Sequence, residues 1–329
     1  MFKNILIIGF GMIGSSIARS IPKSRKQAHI YAFDKSKDFS KRLKKANLYV
    51  SSIKSLDDIK KLSIDLIIVC TPVLQYENIL KKINKLNDQS FIVTDVGSTK
   101  KNIEDIYYKN NFKFRFIPSH PIAGIEKSGL ENGFLGLFEN RYSIVCPLKN
   151  SSKKDISLVN KFWRSLSMKT EIMTAKEHDH VLSLTSHLPH IISYSLVLTA
   201  IKKEKSLNSK LVKFSAGGFR DFTRVAGSDP EMWRDIFLAN SKEIKKLTNM
   251  FIGELKKFSN DLNSHNSKKL LTKLQKTKNI RNRIVKARQA AANLAYSNFV
   301  KSPDPYCMDS LPSTRIWATK LVSCSYCFM

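Results

Sequence analysis

From the N-terminus to about residue 174 the chain alternates short unbroken apolar runs with amphipathic stretches. The runs Ile5–Ile8, Ile30–Phe33, Leu66–Val69, Phe91–Thr94, Phe114–Pro118, Ser143–Cys146 and Thr170–Met173 have strand length. Helical periodicity fills the intervals, as in Ile13–Ile21 and Tyr76–Leu86. Strands apolar on both faces, separated by helices, predict an α/β fold with a mostly parallel sheet covered on both sides. From Ala175 to about Ala290 the strand pattern stops, and helices are expected over His178–Lys203, Leu211–Ala226, Pro230–Asn263 and Lys268–Arg288. Helices of that length outgrow one small bundle, so pairing with a second copy of the chain is expected. Asn293–Met329 shows neither period after Ser302-Pro303-Asp304-Pro305 and is expected to be irregular. The expected division is therefore 1–174, 175–292 and 293–329.

The junction after the first run carries the first chemistry. Gly9-Phe10-Gly11-Met12-Ile13-Gly14 follows Ile5–Ile8 directly. In a strand–turn–helix unit the three glycines permit a tight turn, close approach of backbone to a pyrophosphate, and close helix–strand packing. The helix N-terminus, including Met12 and Ile13, then offers unpaired N–H groups to phosphate. The second run ends at Asp34, 20 residues beyond Gly14, where a carboxylate accepts both ribose hydroxyls of NAD. Lys35 and Lys37 leave room for a 2′-phosphate, so NADP stays open. Together these features predict a Rossmann-type domain.

In such a sheet, ligands bind beyond the carboxyl ends of the strands. Three further segments fall there: Cys70-Thr71-Pro72-Val73, where Thr71 and Pro72 are placed beside the dinucleotide; Asp95-Val96-Gly97-Ser98-Thr99-Lys100; and Ser119-His120-Pro121 continuing to Gly129. His120, just past a strand end, suits a base that takes a hydroxyl proton as hydride leaves. A histidine that merely caps the strand fits the position equally well. In the helical part, His180, Ser183, His187, His190 and Tyr194 are spaced 3, 4, 3, 4 and should form one polar stripe lining a cleft. His180 and His187, two turns apart, are too distant to share one ion, and no metal is expected. Arg224 is suited to clamp a carboxylate, with Asp221 at i−3 holding its guanidinium; a surface ion pair is the alternative.

Net charge changes this picture little. The 56 basic residues against 27 acidic give +29, but they are scattered singly and in pairs. Without an aromatic and basic platform, nucleic acid is not expected. No apolar stretch reads as a membrane span, and the first strand follows Met1 too closely for a signal peptide, so the expected location is cytoplasmic. Cys70 and Cys146 lie in expected strands, while Cys307, Cys324 and Cys327 crowd the last 23 residues; Cys324-x2-Cys327 has metal or redox spacing but no accompanying ligands.

Taken in order, GFGMIG, DVGSTK, HPIAGIEKSG, LFENR, SHLPH and GGFRDFTRVAGSDPEMWRDI resemble the prephenate/arogenate dehydrogenases of tyrosine biosynthesis, over about residues 1–290. The resemblance implies an NAD-binding domain followed by an all-α dimerisation domain, and a homodimer acting on a small molecule. It implies oxidative decarboxylation of prephenate to 4-hydroxyphenylpyruvate, of arogenate to tyrosine, or both. Carried over residue by residue, it makes His120 the acceptor for the substrate 4-hydroxyl and gives Ser98 the task of orienting it. It sets Glu126 at the pocket mouth, His190 on the substrate side chain and Arg224 on a carboxylate, with Asp221 and Trp233 supporting that wall. No chorismate mutase segment or ACT domain is expected. The competing readings are a two-domain β-hydroxyacid-type dehydrogenase, which would carry a lysine on the second domain's helix where His187 and His190 stand, and a non-catalytic NAD-binding protein.

Overall fold

A computed structural model of the chain describes residues 2–21, 28–86, 88, 90–207 and 211–300. It falls into two compact units, 1–260 and 261–329. In the first unit, β1 (Asn4–Ile8), β2 (His29–Phe33), β3 (Ser51–Ser52), β4 (Leu66–Val69), β5 (Ile92–Asp95) and β6 (Arg115–Ile117) form one parallel sheet in the order β3-β2-β1-β4-β5-β6. The order reverses between β1 and β4, which opens a crevice at their carboxyl ends. The helices are α1 (Met12–Ser20), α2 (Phe39–Lys45), α3 (Tyr76–Asn84), α4 (Lys101–Lys109) and α5 (Lys153–Ser165). Two cores flank the sheet. One gathers Ile5, Ile7, Ile17, Ile68 and Trp163; the other gathers Leu6, Ile8, Ile67, Val69, Tyr76 and Phe116. Alternate residues of β1 and β4 feed opposite cores, which is why those strands are apolar throughout.

The single sheet expected from sequence is instead two. β7 (Ser119–Pro121), β8 (Tyr142–Val145) and β9 (Lys169–Ile172) form a separate mixed sheet, with β7 antiparallel to β8. His120 therefore lies within a strand, opposite Ile144, rather than in a loop past one.

The helical part begins with α6 (Ala175–Leu182), which passes through a π-helical turn, Ser183–His187, into α7 (Leu188–Leu207). Pro189 explains the turn: it offers no N–H, and its ring crowds the carbonyl four residues back. By length and composition, Ala175–Lys205 is long and apolar enough to cross a membrane, contrary to expectation, yet its buried residues include His178, Asp179 and His187. The expected Leu211–Ala226 helix is broken into the short 3-10 turn Leu211–Phe214, α8 (Gly217–Thr223) and a second 3-10 turn, Arg224–Gly227. Gly217 and Gly218, each costly inside a helix, begin α8 instead. α9 (Pro230–Ala239) opens with Asp229 accepting the Met232 N–H and proline in the first turn. Asn240 separates it from α10 (Ser241–Asn263).

In the second unit, Asp261 pairs with Lys269 at 2.7 Å and with Lys273. α11 (Ser267–Val300) runs past the expected Arg288 end, because 287–296 is rich in alanine and Pro303 is the first breaker. Cys307, Cys324 and Cys327 lie outside the described residues.

Candidate active site

The dinucleotide turn has the geometry its glycines predict. Gly9 sits at φ +88°, and a Cβ there would come within 2.8 Å of the Cys70 carbonyl and 2.9 Å of Thr71 Cγ2. At Gly14 a Cβ would lie 2.5 Å from the Gly9 oxygen, so α1 packs directly on the turn. Gly11, the N-cap of α1, has no atom within 4 Å of its Cβ position, leaving backbone open where phosphate would approach. Met12 and Ile13 form the first turn of α1 behind it. Asp34 accepts the Phe10 N–H and the Ser36 N–H, both at 2.9 Å, which holds its carboxylate beside the turn. Across the crevice, beyond β4, Thr71 buries a hydroxyl with no hydrogen-bond partner, while Pro72 is exposed. A pyrophosphate cradle, a fixed carboxylate and an orphaned hydroxyl fit a dinucleotide.

Beyond β5 the site is built around Asp95. Its carboxylate accepts the Gly97 and Ser119 N–H groups, both at 2.9 Å, and pairs with Lys100 Nζ at 2.5 Å. Ser119 Oγ in turn donates to the Asp95 carbonyl at 2.9 Å and accepts from Trp163 Nε1 at 3.0 Å. One buried carboxylate thus ties the end of β5, the turn into α4 and the start of β7, and so places His120.

His120 is buried, and its Nδ1 lies 2.8 Å from Nε2 of His178. His178 Nδ1 lies 2.7 Å from Asp179 Oδ1. Asp179 also accepts the Lys100 N–H at 2.7 Å and the Lys101 N–H at 2.9 Å. Burial, followed by the neighbouring His178 and the Lys100 ammonium, holds His120 well below the ordinary histidine range. His178 is depressed in the same way by burial and by Lys100. Both rings are therefore neutral near pH 7, the state a proton acceptor needs. Ser98, expected to help orient the base, lies at the start of the same pocket with its carbonyl toward His187, while His120 Nδ1 is engaged by His178.

The expected polar stripe is broken. The π turn shifts the register, so His180 lies on the surface against Glu243 at 3.1 Å, while His178, outside the 3-4 spacing, points to the site. His187 is buried, its Nδ1 accepting from Asn240 Nδ2 at 3.3 Å; the same amide nitrogen donates to the Asp179 carbonyl at 3.0 Å. Burial lowers its pKa to about 4. His190 stacks on Trp233 with centroids 3.5 Å apart and donates from Nδ1 to the Ser186 carbonyl. Its Nε2 is thereby left as the ring's acceptor while the ring is neutral. Trp233 Nε1 and Tyr194 OH are buried without hydrogen-bond partners.

Arg224 forms its ion pair with Glu126, 98 residues away, and not with Asp221. Asp221 is exposed one turn earlier on α8. Arg224 and Glu126 share a partly solvated position. Sequence inspection missed the roles of His178, Asp179, Asp95 and Lys100. The adjacent His178-Asp179 pair, just inside a helix capped by Thr174, was the available signal.

A dinucleotide crevice joined to a buried, neutral imidazole defines a nucleotide-dependent dehydrogenase with a helical second part. Residues 17–172 match the family model "Prephenate dehydrogenase, nucleotide-binding domain", and residues 174–276 match "Prephenate dehydrogenase, dimerization domain". The chain belongs to the prephenate dehydrogenase family. It is 33% identical over 281 residues to a cyclohexadienyl dehydrogenase of Zymomonas mobilis, covering 85% of this chain and 96% of that protein. It is 31% identical over 315 residues to a prephenate dehydrogenase of Bacillus subtilis, covering 92% and 82% respectively. The crystal structure of prephenate dehydrogenase from A. aeolicus in complex with hydroxyphenyl propionate and NAD+ superposes with a TM-score of 0.80 at 34% identity, covering 86% of this chain and 99% of that one.

Proposed function

We propose that this protein carries out NAD-dependent oxidative decarboxylation of prephenate to 4-hydroxyphenylpyruvate, of arogenate to tyrosine, or of both, as a cytoplasmic homodimer. Residues 1–174 would bind the cofactor, and 175–292 would supply the substrate wall and the dimer contact. The observation that carries the reading is the neutral, buried His120, whose Nδ1 is occupied and whose Nε2 is left to accept a proton.

When bound, NAD supplies the acceptor for the hydride leaving C4 of the substrate ring. Gly9, Gly11, Met12, Ile13 and Gly14 would hold its pyrophosphate, Asp34 its ribose, and Thr71 and Pro72 its flank. His120 takes the hydroxyl proton as the C–H bond breaks, which leaves a ring ketone. The ring carboxylate then leaves as carbon dioxide, and its electron pair aromatises the ring and settles on the ketone oxygen. His120 returns its proton there, giving the phenol, so the base ends the cycle as it began. Arg224 binds the side-chain carboxylate in exchange for Glu126 at the pocket mouth, and His190 on Trp233 packs against the side chain. Ser98 lines the pocket beside His187.

The decisive assay follows NADH absorbance with prephenate and arogenate side by side. Turnover with at least one is expected. NAD binding without turnover of either would overturn the proposal.

A further inference from the structure

We infer that His178 and Asp179 form a buried relay that fixes His120 as the Nδ1–H tautomer and stabilises the positive charge His120 gains on taking the substrate proton. Both act as positioning residues; neither touches the reacting atoms. For its effect on turnover the inference rests on the dehydrogenase reading above.

The tautomers follow from the hydrogen bonds. Asp179 is buried, but its two oxygens accept the Lys100 and Lys101 N–H groups and so hold a carboxylate that offers only lone pairs, and the His178 nitrogen 2.7 Å from Oδ1 must carry hydrogen. A neutral His178 then has a bare Nε2. That nitrogen lies 2.8 Å from His120 Nδ1, which must therefore carry the hydrogen between them. A neutral His120 is left with a bare Nε2, the one atom through which it can act as a base. The opposite tautomer of His120 would set two lone pairs against each other at 2.8 Å and would block the base with its own hydrogen.

The position of Asp179 makes the arrangement one-directional. Its two oxygens accept the Lys100 and Lys101 N–H groups at the start of α4, where the helix favours negative charge. Both oxygens are thus committed as acceptors. The charged and titratable groups around the relay are the Asp95–Lys100 pair, His187 and Cys146. Lys100 opposes a cation on His120, and its Asp95 partner offsets that at 2.5 Å. Asp179 is the carboxylate in line with the histidines. When the substrate O–H bond breaks and the Nε2–H bond forms on His120, the new cation is hydrogen-bonded through His178 to that carboxylate. The arrangement follows the general pattern in which a third group orients a base and stabilises its charged form.

The first test needs no turnover. Nitrogen-15 spectra of imidazole-labelled protein, with the His120 signal among seven histidines assigned by His120→Asn, should show a pyrrole-type Nδ1 and a pyridine-type Nε2. The reverse pattern in the wild-type protein overturns the inference and leaves the dehydrogenase reading untouched. The second test is Asp179→Asn. Turning its amide nitrogen toward His178 would reverse both tautomers, and the expected result is a fall in kcat of about 10²–10⁴-fold with KM and NADH affinity within a few-fold. The His120 nitrogen pattern should reverse in the same variant. An Asp179→Asn protein with wild-type kcat, or one whose kcat falls while His120 keeps its tautomer, would also overturn the relay. Should that variant not fold, His178→Gln gives the same split between kcat and NADH affinity, and the wild-type spectrum still decides. Absence of turnover with prephenate and arogenate in the wild-type protein, with the expected tautomer present, would count against the function alone.

Discussion

Lys100 brings its ammonium 2.5 Å from the Asp95 carboxylate, and neither side chain has exposed surface. A buried pair of this kind contributes little net stability compared with apolar replacements, but breaking it strands a charge. Lys100→Met would leave Asp95 with the Gly97 and Ser119 N–H groups and the Tyr76 hydroxyl, but no cation. The expected loss is about 3–5 kcal/mol in unfolding free energy, read from urea denaturation. A loss below about 1 kcal/mol would mean that the remaining hydrogen-bond donors hold the carboxylate without the cation.

On the proposed mechanism, His120→Asn removes the acceptor for the substrate hydroxyl while leaving the glycine turn intact. Turnover should fall by about 10²–10⁴-fold with NADH affinity unchanged, measured by steady-state kinetics and fluorescence titration. Loss of NADH binding would instead place His120 against the cofactor.

Arg224 is largely exposed and already paired with Glu126. Arg224→Ala should therefore raise KM by about tenfold or more, with a smaller effect on kcat, because it removes binding common to ground and transition states. An unchanged KM would take Arg224 out of the carboxylate site.

Acid stability should reflect the buried histidines. His120, His178 and His187 all have folded pKa values below 6.5, with His187 near 4. As pH falls from 6.5 toward those values the unfolded chain takes up protons that the folded chain refuses. Stability should fall by about 1.4 kcal/mol per pH unit for each such histidine. Asp179, raised by its burial, works against this, while Glu131, held near 2 by Arg42, begins to add to the loss only below about 4.5. Denaturation midpoints from pH 7.5 to 4.5 give the slope; a flat profile above pH 5 would contradict the burial of these rings.

The alternating pattern was enough to read the parallel sheet, because β1 and β4 are apolar on both faces and the glycine turn needs no partner beyond its neighbours. β7 was invisible. Three residues containing a proline carry no periodicity, and their pairing with Tyr142–Val145 is a tertiary fact. The candidate base was legible from its place after a strand, but its partner was not. His178 lies 58 residues away and faces His120 only because α6 packs its first turns against the start of α4. Asp95 and Lys100 looked like a turn with hydroxyls, since burial of charge is not written in local sequence. Arg224 had an acid at a suitable spacing in Asp221, yet the chain brings Glu126 to it from another segment.

The π turn at Ser183–His187 separates two stretches that face different tasks. One presents His178 and Asp179 toward β7 and α4; the other presents His190 toward Trp233. Each residue of an α-helix turns about 100° about the axis. Removing one residue from the π turn would restore an ordinary helix with both flanks on nearly the same faces, because the wider turn takes up one residue more than an α turn over the same rotation. His178 and His190 would then keep their faces while standing one residue closer along the chain. The turn thus stores one residue of chain length inside the helix, and a spacing counted by the α-helical period fails wherever it is carried across it.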